Sequence, residues 1–517
     1  MKNALEWIYR AAALYLAISF AFHAYVAVRI SPLAALLFLG GLAFIAIRAF
    51  SIEIPRFPWR WAQALLALVL LFMAVDRLAE GDRVELERTS VAFVGATLLT
   101  EETPDSLIPN GTIVVDERGK IVAIGSSSEV DASGAARTID VAGKFVVPGL
   151  INAHDHLMMF GERPPEEPAD FSGYAVEDGA ASIGESLLHT YVGRQLILSL
   201  MEHNAERELR SGVTTARQVG TVGFLDVVLR DQIARLERIG PRLLAAGPPI
   251  SITGGHGHQI ATIIDGPVEA RRAVRIAARE RVDAIKVTST GGVSDSIRVG
   301  EAGELQMAPD EIEAVVDEAH RKGLIVAAHA ESPEGVVEAL RAGVDNIEHG
   351  ADLTSEAVAL FRRNPRSLRG YSSFHPTLSV LAGGMVETAA NADNPAVAAM
   401  NANAEIIRDG LIQGYRDALA GGVLVGAGTD SGVIRHDAVW KEMEYFVRWG
   451  GVSRAKAIHM ATHDTALSIG IDDEAGTLAV GKWGDLLVLS GDPREDLAVF
   501  AKPELVVAQG VVFAASD

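Results

Sequence analysis

Two histidines one residue apart, His154 and His156, end the apolar run FVVPGLINAHDHLM at residues 145–158. On a strand, side chains alternate with a period of two, so both imidazoles point the same way and can serve one ion. His329 ends GLIVAAHA, His349 ends VDNIEHG, and Asp430 closes VLVGAGTD. Four histidines and an aspartate from four strand-like runs form a nitrogen and oxygen donor set suited to zinc or another borderline divalent metal. The chain contains no cysteine, which excludes disulfides and thiolate ligands. A single histidine at a strand end is ordinarily structural; the joint placement of four points to a site.

Lys286, in VDAIKVTST, is out of place in an apolar strand. Burial disfavours its charge and lowers its pKa. It either pairs with a carboxylate, reaches toward water at the strand end, or serves the site. His256 follows ITGG, where it either assists a substrate or is simply held by the glycine-rich turn. Arg217, ending GVTTAR, has the charge to meet a substrate anion or an acidic neighbour, and His375 in FHPTL sits where it could line a pocket.

These residues need a scaffold that brings distant strand ends together. Eight apolar runs alternate with helical stretches: GLINAHDH, GVTTARQVG, RLLAAGPPISITGGHGH, VDAIKVTST, GLIVAAHA, VDNIEHGADL, SSFHPTLSV and VLVGAGTDS. In DEIEAVVDEAHRKG and SPEGVVEALRAGV a glycine follows the last periodic residue, a helix stop. Alternating β and α units predict an α/β fold, a (β/α)8 barrel over 148–470, whose polar strand ends form the active face. Short β-rich runs flank it at 90–147 and 471–515, predicting a small composite β-sandwich domain built from both ends.

The first eighty residues differ. Three nearly uncharged segments, within 11–28, 32–47 and 61–75, predict three transmembrane helices in a region 1–82. Lys2 and Arg10 precede the first segment, and Arg48, Arg56 and Arg60 separate the second from the third, which puts both regions in the cytoplasm and the large domain on the exoplasmic or periplasmic side. The expectation is a multi-pass membrane protein touching lipid through residues 11–75. A formal net charge of -21 disfavours nucleic acid, since nothing offers a phosphate backbone a basic stripe.

From about Ser90 to its end the chain resembles the amidohydrolase superfamily, in its prolidase-like and imidazolonepropionase-like branch. The matching pieces are VVPGLINAHDH, GVTTAR, ITGGHGH, IKVTSTGG, AAHAES, NIEHG, GAGTDSG and AGTLAVGKWGDLLVL. Each is common alone and the combination is specific. The resemblance implies two divalent ions, zinc being expected: His154 and His156 on the more buried ion, His329 and His349 on the other. Lys286, carboxylated by carbon dioxide to a carbamate, would bridge them. Asp430 would be a ligand and general base, and His256 a catalytic group that polarises the substrate carbonyl.

The implied activity is hydrolysis of an amide bond, in a short peptide or N-acyl amino acid, by metal-activated hydroxide. Esters, lactones, carbamates or cyclic amides are the alternative on the same site, and a membrane receptor or scaffold with an inactive barrel is the non-enzyme alternative. A homo-oligomer is compatible with either. Glu331 stands where prolidase-like relatives often carry a tyrosine that holds a substrate carboxylate, and an acid there favours a cationic or neutral substrate. Gln218 stands where relatives commonly place an aspartate.

Overall fold

The computed structural model describes residues 86, 88–169, 190–384 and 394–514. The chain divides into two compact units, residues 1–85 with 182–203, and residues 86–181 with 204–517. The second carries the chemistry.

Its first layer is a sheet. Strands β1 (Val91–Leu99), β2 (Leu107–Val115), β3 (Ile121–Ser126), β4 (Arg137–Asp140) and β5 (Phe145–Pro148) come from the amino-terminal side. β1 is the organising strand. It bulges at Gly95 (φ 89), a left-handed conformation that a side chain disfavours and where Ala142 packs close. The bend lets its first half pair with β4 and its second half with β5. One continuous eight-stranded sheet results, with strands drawn from both flanks of the barrel. Phe93, Leu98, Ile113, Val146, Leu486 and Val488 fill its core from both sides of the barrel sequence.

The barrel follows. Its strands are β6 (Leu150–Asp155), β7 (Val213–Gln218), β8 (Arg242–Ala245), β9 (Ile250–Ile252), β10 (Thr262–Ile264), β11 (Ala284–Thr288), β12 (Ile325–Ala330), β13 (Asn346–His349), β14 (Ser373–His375) and β15 (Leu424–Val425). All their pairings are parallel. The third of the eight predicted units is interrupted at Pro248-Pro249. Proline has no N–H for the ladder, so β8 pairs back to β7 while β9 pairs forward to β11. The ring closes where Ala153 donates to Ala427 O and Asp430 donates to His154 O, each at 2.9 Å. Strands β16 (Leu486–Leu489), β17 (Leu505–Ala508) and β18 (Val511–Ala514) then complete the first sheet against β5.

The helices are α1 (Tyr191–Arg210), α2 (Leu225–Ala234), α3 (Pro267–Arg279), α4 (Pro309–His320), α5 (Pro333–Ala342), α6 (Ser355–Arg362), α7 (Pro395–Gly421), α8 (Val439–Gly450), α9 (Arg454–His459) and α10 (Thr465–Ile469). In α3 the buried positions are Ala270, Ala273, Val274 and Ala277, the one-face spacing of a helix packed on a sheet. Helix α5 starts with Ser332 accepting from Gly335 N and stops at Gly343.

The membrane expectation is corrected. No helix among the described residues is long and apolar enough to cross a membrane. The long helix α7, for example, carries Glu405, Arg408, Asp409, Arg416 and Asp417. The three apolar segments expected to span lie at 11–75, outside the described residues. A multi-pass placement with an exoplasmic hydrolase domain therefore has no spanning helix among the described residues to support it.

Gly343 has φ 101, and a Cβ there would stand 2.8 Å from Arg366 O. Gly343→Ala is expected to destabilise the fold by about 1–3 kcal/mol, read from the denaturant midpoint; an unchanged midpoint contradicts this account of the helix stop.

Candidate active site

The expected ligands converge. His154, His156, Lys286, His329, His349 and Asp430 all line one cavity of about 130 Å³, with His256 and Glu331. Asp430 Oδ1 lies 3.3 Å from His154 Nε2 and 3.1 Å from His156 Nε2. The rings continue round the rim, His154 to His349 at 4.8 Å, His349 to His329 at 4.6 Å and His329 to His256 at 4.4 Å.

Alternation alone cannot build this rim. Glu348 and His349 are neighbours on β13, yet Glu348 contacts His154 inside the barrel and His349 faces the same imidazole. The backbone resolves it: His349 has φ 66 and Asp430 has φ 52, so both depart from the extended path that would send them outward. Such conformations cost roughly 1–2 kcal/mol for a non-glycine residue. The ring closure at Asp430 N and the bond from Gly350 N to Ala330 O hold them in place.

Each ring has its remaining nitrogen engaged. His154 Nδ1 lies 2.7 Å from Glu348 Oε2, His156 Nδ1 lies 3.2 Å from Gly220 O, and His329 Nε2 lies 2.7 Å from Gly291 O. Thr377 Oγ1 sits 2.8 Å from His349 Nδ1. This is how metal-binding histidines are oriented, one nitrogen tied and the other left for an ion. Burial first, then neighbouring imidazoles, push the pKa values of His329 and His349 well below the ordinary range, which keeps them neutral donors.

Lys286 is 3% exposed, and its Nζ has no hydrogen-bond partner. Burial pulls its pKa down to about 8, although Glu348 and Asp430 oppose the fall. Glu331 is also buried, its Oε2 without a hydrogen bond and 3.7 Å from His329 Nε2; burial, then the charge of Asp430, raise its pKa well above the carboxylate range.

Two expected substrate contacts lie elsewhere. Arg217 and His375, 1% and 0% exposed, sit inside the barrel around Glu348. Arg217 Nη2 donates to Glu348 Oε1 at 2.7 Å, and its other nitrogens reach Ala153 O and Asn346 Oδ1. His375 Nδ1 lies 3.1 Å from the same Glu348 oxygen, and its Nε2 lies 2.8 Å from Ser468 Oγ. Of the alternatives for Arg217, the acidic neighbour is the one realised. Gln218 is buried too, donating to Asp155 and accepting from Leu157 N.

Glu348 is the residue the sequence reading missed. Burial alone would raise its pKa, but His375, Arg217 and His154 together hold it well below the usual range. Its signal was the one used for Lys286, a charged residue inside a buried strand, masked by its proximity to His349. Asp295, 2.8 Å from His256 Nδ1, was missed because it ends a short 3-10 helix, Val293–Asp295, far from His256 in sequence.

A family comparison decides the ancestry. The amidohydrolase family profile matches residues 145–512. The chain belongs to the amidohydrolase family. It thereby groups with hydrolases of carbon–nitrogen bonds. It is 29% identical over 294 residues to an ochratoxinase of Aspergillus niger, a match covering 52% of this chain and 58% of that relative's length. It is 25% identical to an imidazolonepropionase of Acidiphilium cryptum, covering 78% of this chain and 92% of the relative. Among solved structures, a Bifidobacterium longum protein provisionally named a prolidase superposes with TM-score 0.69 at 38% identity, covering 83% of this chain and 95% of its own.

Two outcomes follow for this amidohydrolase. Glu348→Gln leaves Arg217 buried without a counter-charge and frees His154, so it is expected to destabilise by about 3–5 kcal/mol. It should also weaken metal binding about 10–100-fold, measured by unfolding and metal titration. The second concerns Glu442 of α8, which accepts from Leu378 N and Ser379 N at 2.8 Å and so fixes the segment holding Thr377 against His349. Burial raises its pKa to about 7. The folded chain keeps this proton after the unfolded chain has released it, so stability falls as pH rises from the ordinary glutamate range to about 7, then levels off. The stability of wild type minus that of Glu442→Ala should fall by roughly 3 kcal/mol across that window, measured by urea unfolding; a difference independent of pH contradicts it.

Proposed function

We propose that this amidohydrolase hydrolyses the amide bond of a short peptide or N-acyl amino acid at a site that holds two divalent ions, zinc being the natural choice. One observation carries the reading: a buried Lys286 amine without a partner, lining the same cavity as four imidazoles and Asp430. The donors fit such a pair. Asp430 Oδ1 stands 3.3 Å and 3.1 Å from two ring nitrogens, close to the separation of donor atoms around a tetrahedral ion.

His154, His156 and Asp430 would hold one ion and His329 and His349 the other. Lys286 would join them as a carbamate, its depressed pKa favouring the neutral amine that adds to carbon dioxide and sheds a proton. Bound there, the ions supply Lewis acidity toward the substrate carbonyl and toward water. Asp430 then accepts a proton from water and returns it to the leaving nitrogen, base becoming acid. His256, tethered by Asp295, offers its Nε2 side to the carbonyl oxygen.

Glu331 bears on substrate choice. It lines the site and also a neighbouring cavity of about 950 Å³ that includes Glu304, Asp352, Asp409 and Arg416. Three further carboxylates against one guanidinium disfavour an anionic group there, so the portion of substrate passing Glu331 is neutral or cationic. The relative provisionally named a prolidase supports a peptide substrate.

Metal-loaded protein assayed against dipeptides and N-acyl amino acids, with Lys286→Ala as the blank, tests this. Turnover should vanish with chelator and return with zinc, and Asp430→Asn should lower kcat by about 10²–10⁴-fold. Turnover that survives chelation, or ester cleavage with every amide untouched, rejects the amide reading.

A further inference from the structure

The segment that follows β11, residues 289–306, reaches two of the imidazoles at once. Gly291 O lies 2.7 Å from His329 Nε2. Asp295 Oδ1 lies 2.8 Å from His256 Nδ1, and Asp295 Oδ2 accepts from Gly257 N at 2.9 Å. Gln306 Oε1 accepts from His256 N at 2.8 Å. Gly292 lies against the ring: a Cβ there would stand 2.3 Å from His256 Cε1, so only glycine lets the backbone come this close. The place of His256 is thus set chiefly by a segment far from it in sequence.

That segment needs an anchor of its own. Its ends are zipped together, Gly291 N donating to Glu304 O at 2.9 Å and Gln306 N to Ser289 O at 3.0 Å. Its tip, 296–300, has no such ladder, and the apolar side chains there point to water, Ile297 being 67% and Val299 63% exposed. Asn403 of helix α7 supplies the hold. Its Nδ2 donates to Ser296 Oγ at 2.9 Å and to Arg298 O at 2.8 Å, while its Oδ1 accepts from Gly300 N at 2.6 Å. Among the described residues, these are the only hydrogen bonds that reach the tip from outside the segment. A carbonyl only accepts and a main-chain N–H only donates, so the amide has one orientation. Asn403 is 1% exposed, and both of its amide protons and its oxygen are spent on this tip. Aspartate would set a carboxylate against Arg298 O, and leucine would strip two main-chain groups of their partner. Ser296 Oγ also donates to Val293 O at 2.9 Å, which carries the hold into the 3-10 turn that ends at Asp295.

We propose that Asn403 is a positioning residue for the reaction, acting through Asp295 to aim His256 at the substrate carbonyl. This rests on the role given to His256 under the proposed function. Asn403 lines the larger neighbouring cavity and not the catalytic one, so it acts at a distance. Contacts run from Asn403 to Ser296, through the 3-10 turn to Asp295, and from Asp295 to the imidazole. Without the anchor the exposed tip swings, and the turn beside it carries Asp295 along. His256 then keeps its main-chain bond to Gln306 and loses its fixed ring, and reacting geometry is sensitive to displacements of about 1 Å. Gly291 belongs to the zipped root, so His329 stays tied and the metal ligands stay in place.

Wild type, Asn403→Ala, His256→Asn and the double variant are loaded with zinc, and kcat and KM are measured on a dipeptide the wild type cleaves. Asn403→Ala should lower kcat by about 10–10²-fold, with KM and zinc content unchanged. In the His256→Asn background it should cost nothing more, because both changes remove one function. Effects that multiply, an unchanged kcat or a loss of zinc overturn the proposal. Histidine labelled with nitrogen-15 gives a readout independent of turnover. The Nδ1–H resonance of His256, identified by its absence in His256→Asn, should exchange faster with water in Asn403→Ala. An unchanged resonance, or none in the wild type, rejects the link. If the near-ultraviolet circular dichroism of Asn403→Ala shows a lost fold, Ser296→Ala removes a single acceptor and is judged by the same measurements. A wild type that cleaves no amide, with the resonance still responding to Asn403→Ala, rejects the hydrolase reading and supports the positioning of His256.

Discussion

Glu348 is a carboxylate with no access to water, and the geometry of the candidate active site rests on it. One oxygen accepts a hydrogen bond from His154 Nδ1 and the other meets Arg217 and His375. A buried pair of this kind gains little over apolar packing, whereas removing one partner costs several kcal/mol. Its value is therefore positional. Glu348 fixes the tautomer of His154, and the same carboxylate locks the guanidinium that braces β7 against β13. The fold can then place an unpartnered lysine nearby without a stray side chain relaxing onto it.

The ligands are held by two kinds of constraint. Lys286 and His329 need only the alternation of regularly paired strands, while His154 sits where the pairing of β6 with β7 shifts register between Asn152 and Asp155. His349 and Asp430 need left-handed backbone at strand ends, kept there by inter-strand hydrogen bonds. Helix α8 supports the arrangement from outside, since the Glu442 carboxylate anchors the segment whose Thr377 steadies His349. Orientation thus reaches the rim from both the barrel interior and the surrounding helices.

Much of this was legible in the sequence, because short runs ending in a donor carry strand direction and chemistry together. The eight units, the helix stops and the convergence of four imidazoles and Asp430 could be read that way, whereas the place of Lys286 among them came from the family resemblance. Arg217 and His375 were harder. Inward-pointing residues occupy layers, and nothing local says whether a polar one belongs to the layer facing substrate or the one beneath it. The break at Pro248-Pro249 had its signal in the two prolines, whereas the left-handed turns at His349 and Asp430 had none, since neither residue type demands them. Apolar composition alone suggested spanning helices in a stretch outside the described residues, and the helices that are described carry charge.

The interrupted third unit has a consequence for assembly. Because β8 bonds backward and β9 forward, the barrel wall consists of two arcs, β6 to β8 and β9 to β15. His154 and His156 ride on the short arc, while Lys286, His329 and His349 ride on the long one. The arcs still meet at a narrow seam, where Asp283 N, just before β11, donates to Ala245 O of β8 at 2.7 Å and the Asp283 carboxylate accepts from Ala245 N at 2.9 Å. With main-chain bonding this sparse, the seam between β8 and β11 should open ahead of the strands inside either arc, and the amide of Asp283 should exchange early.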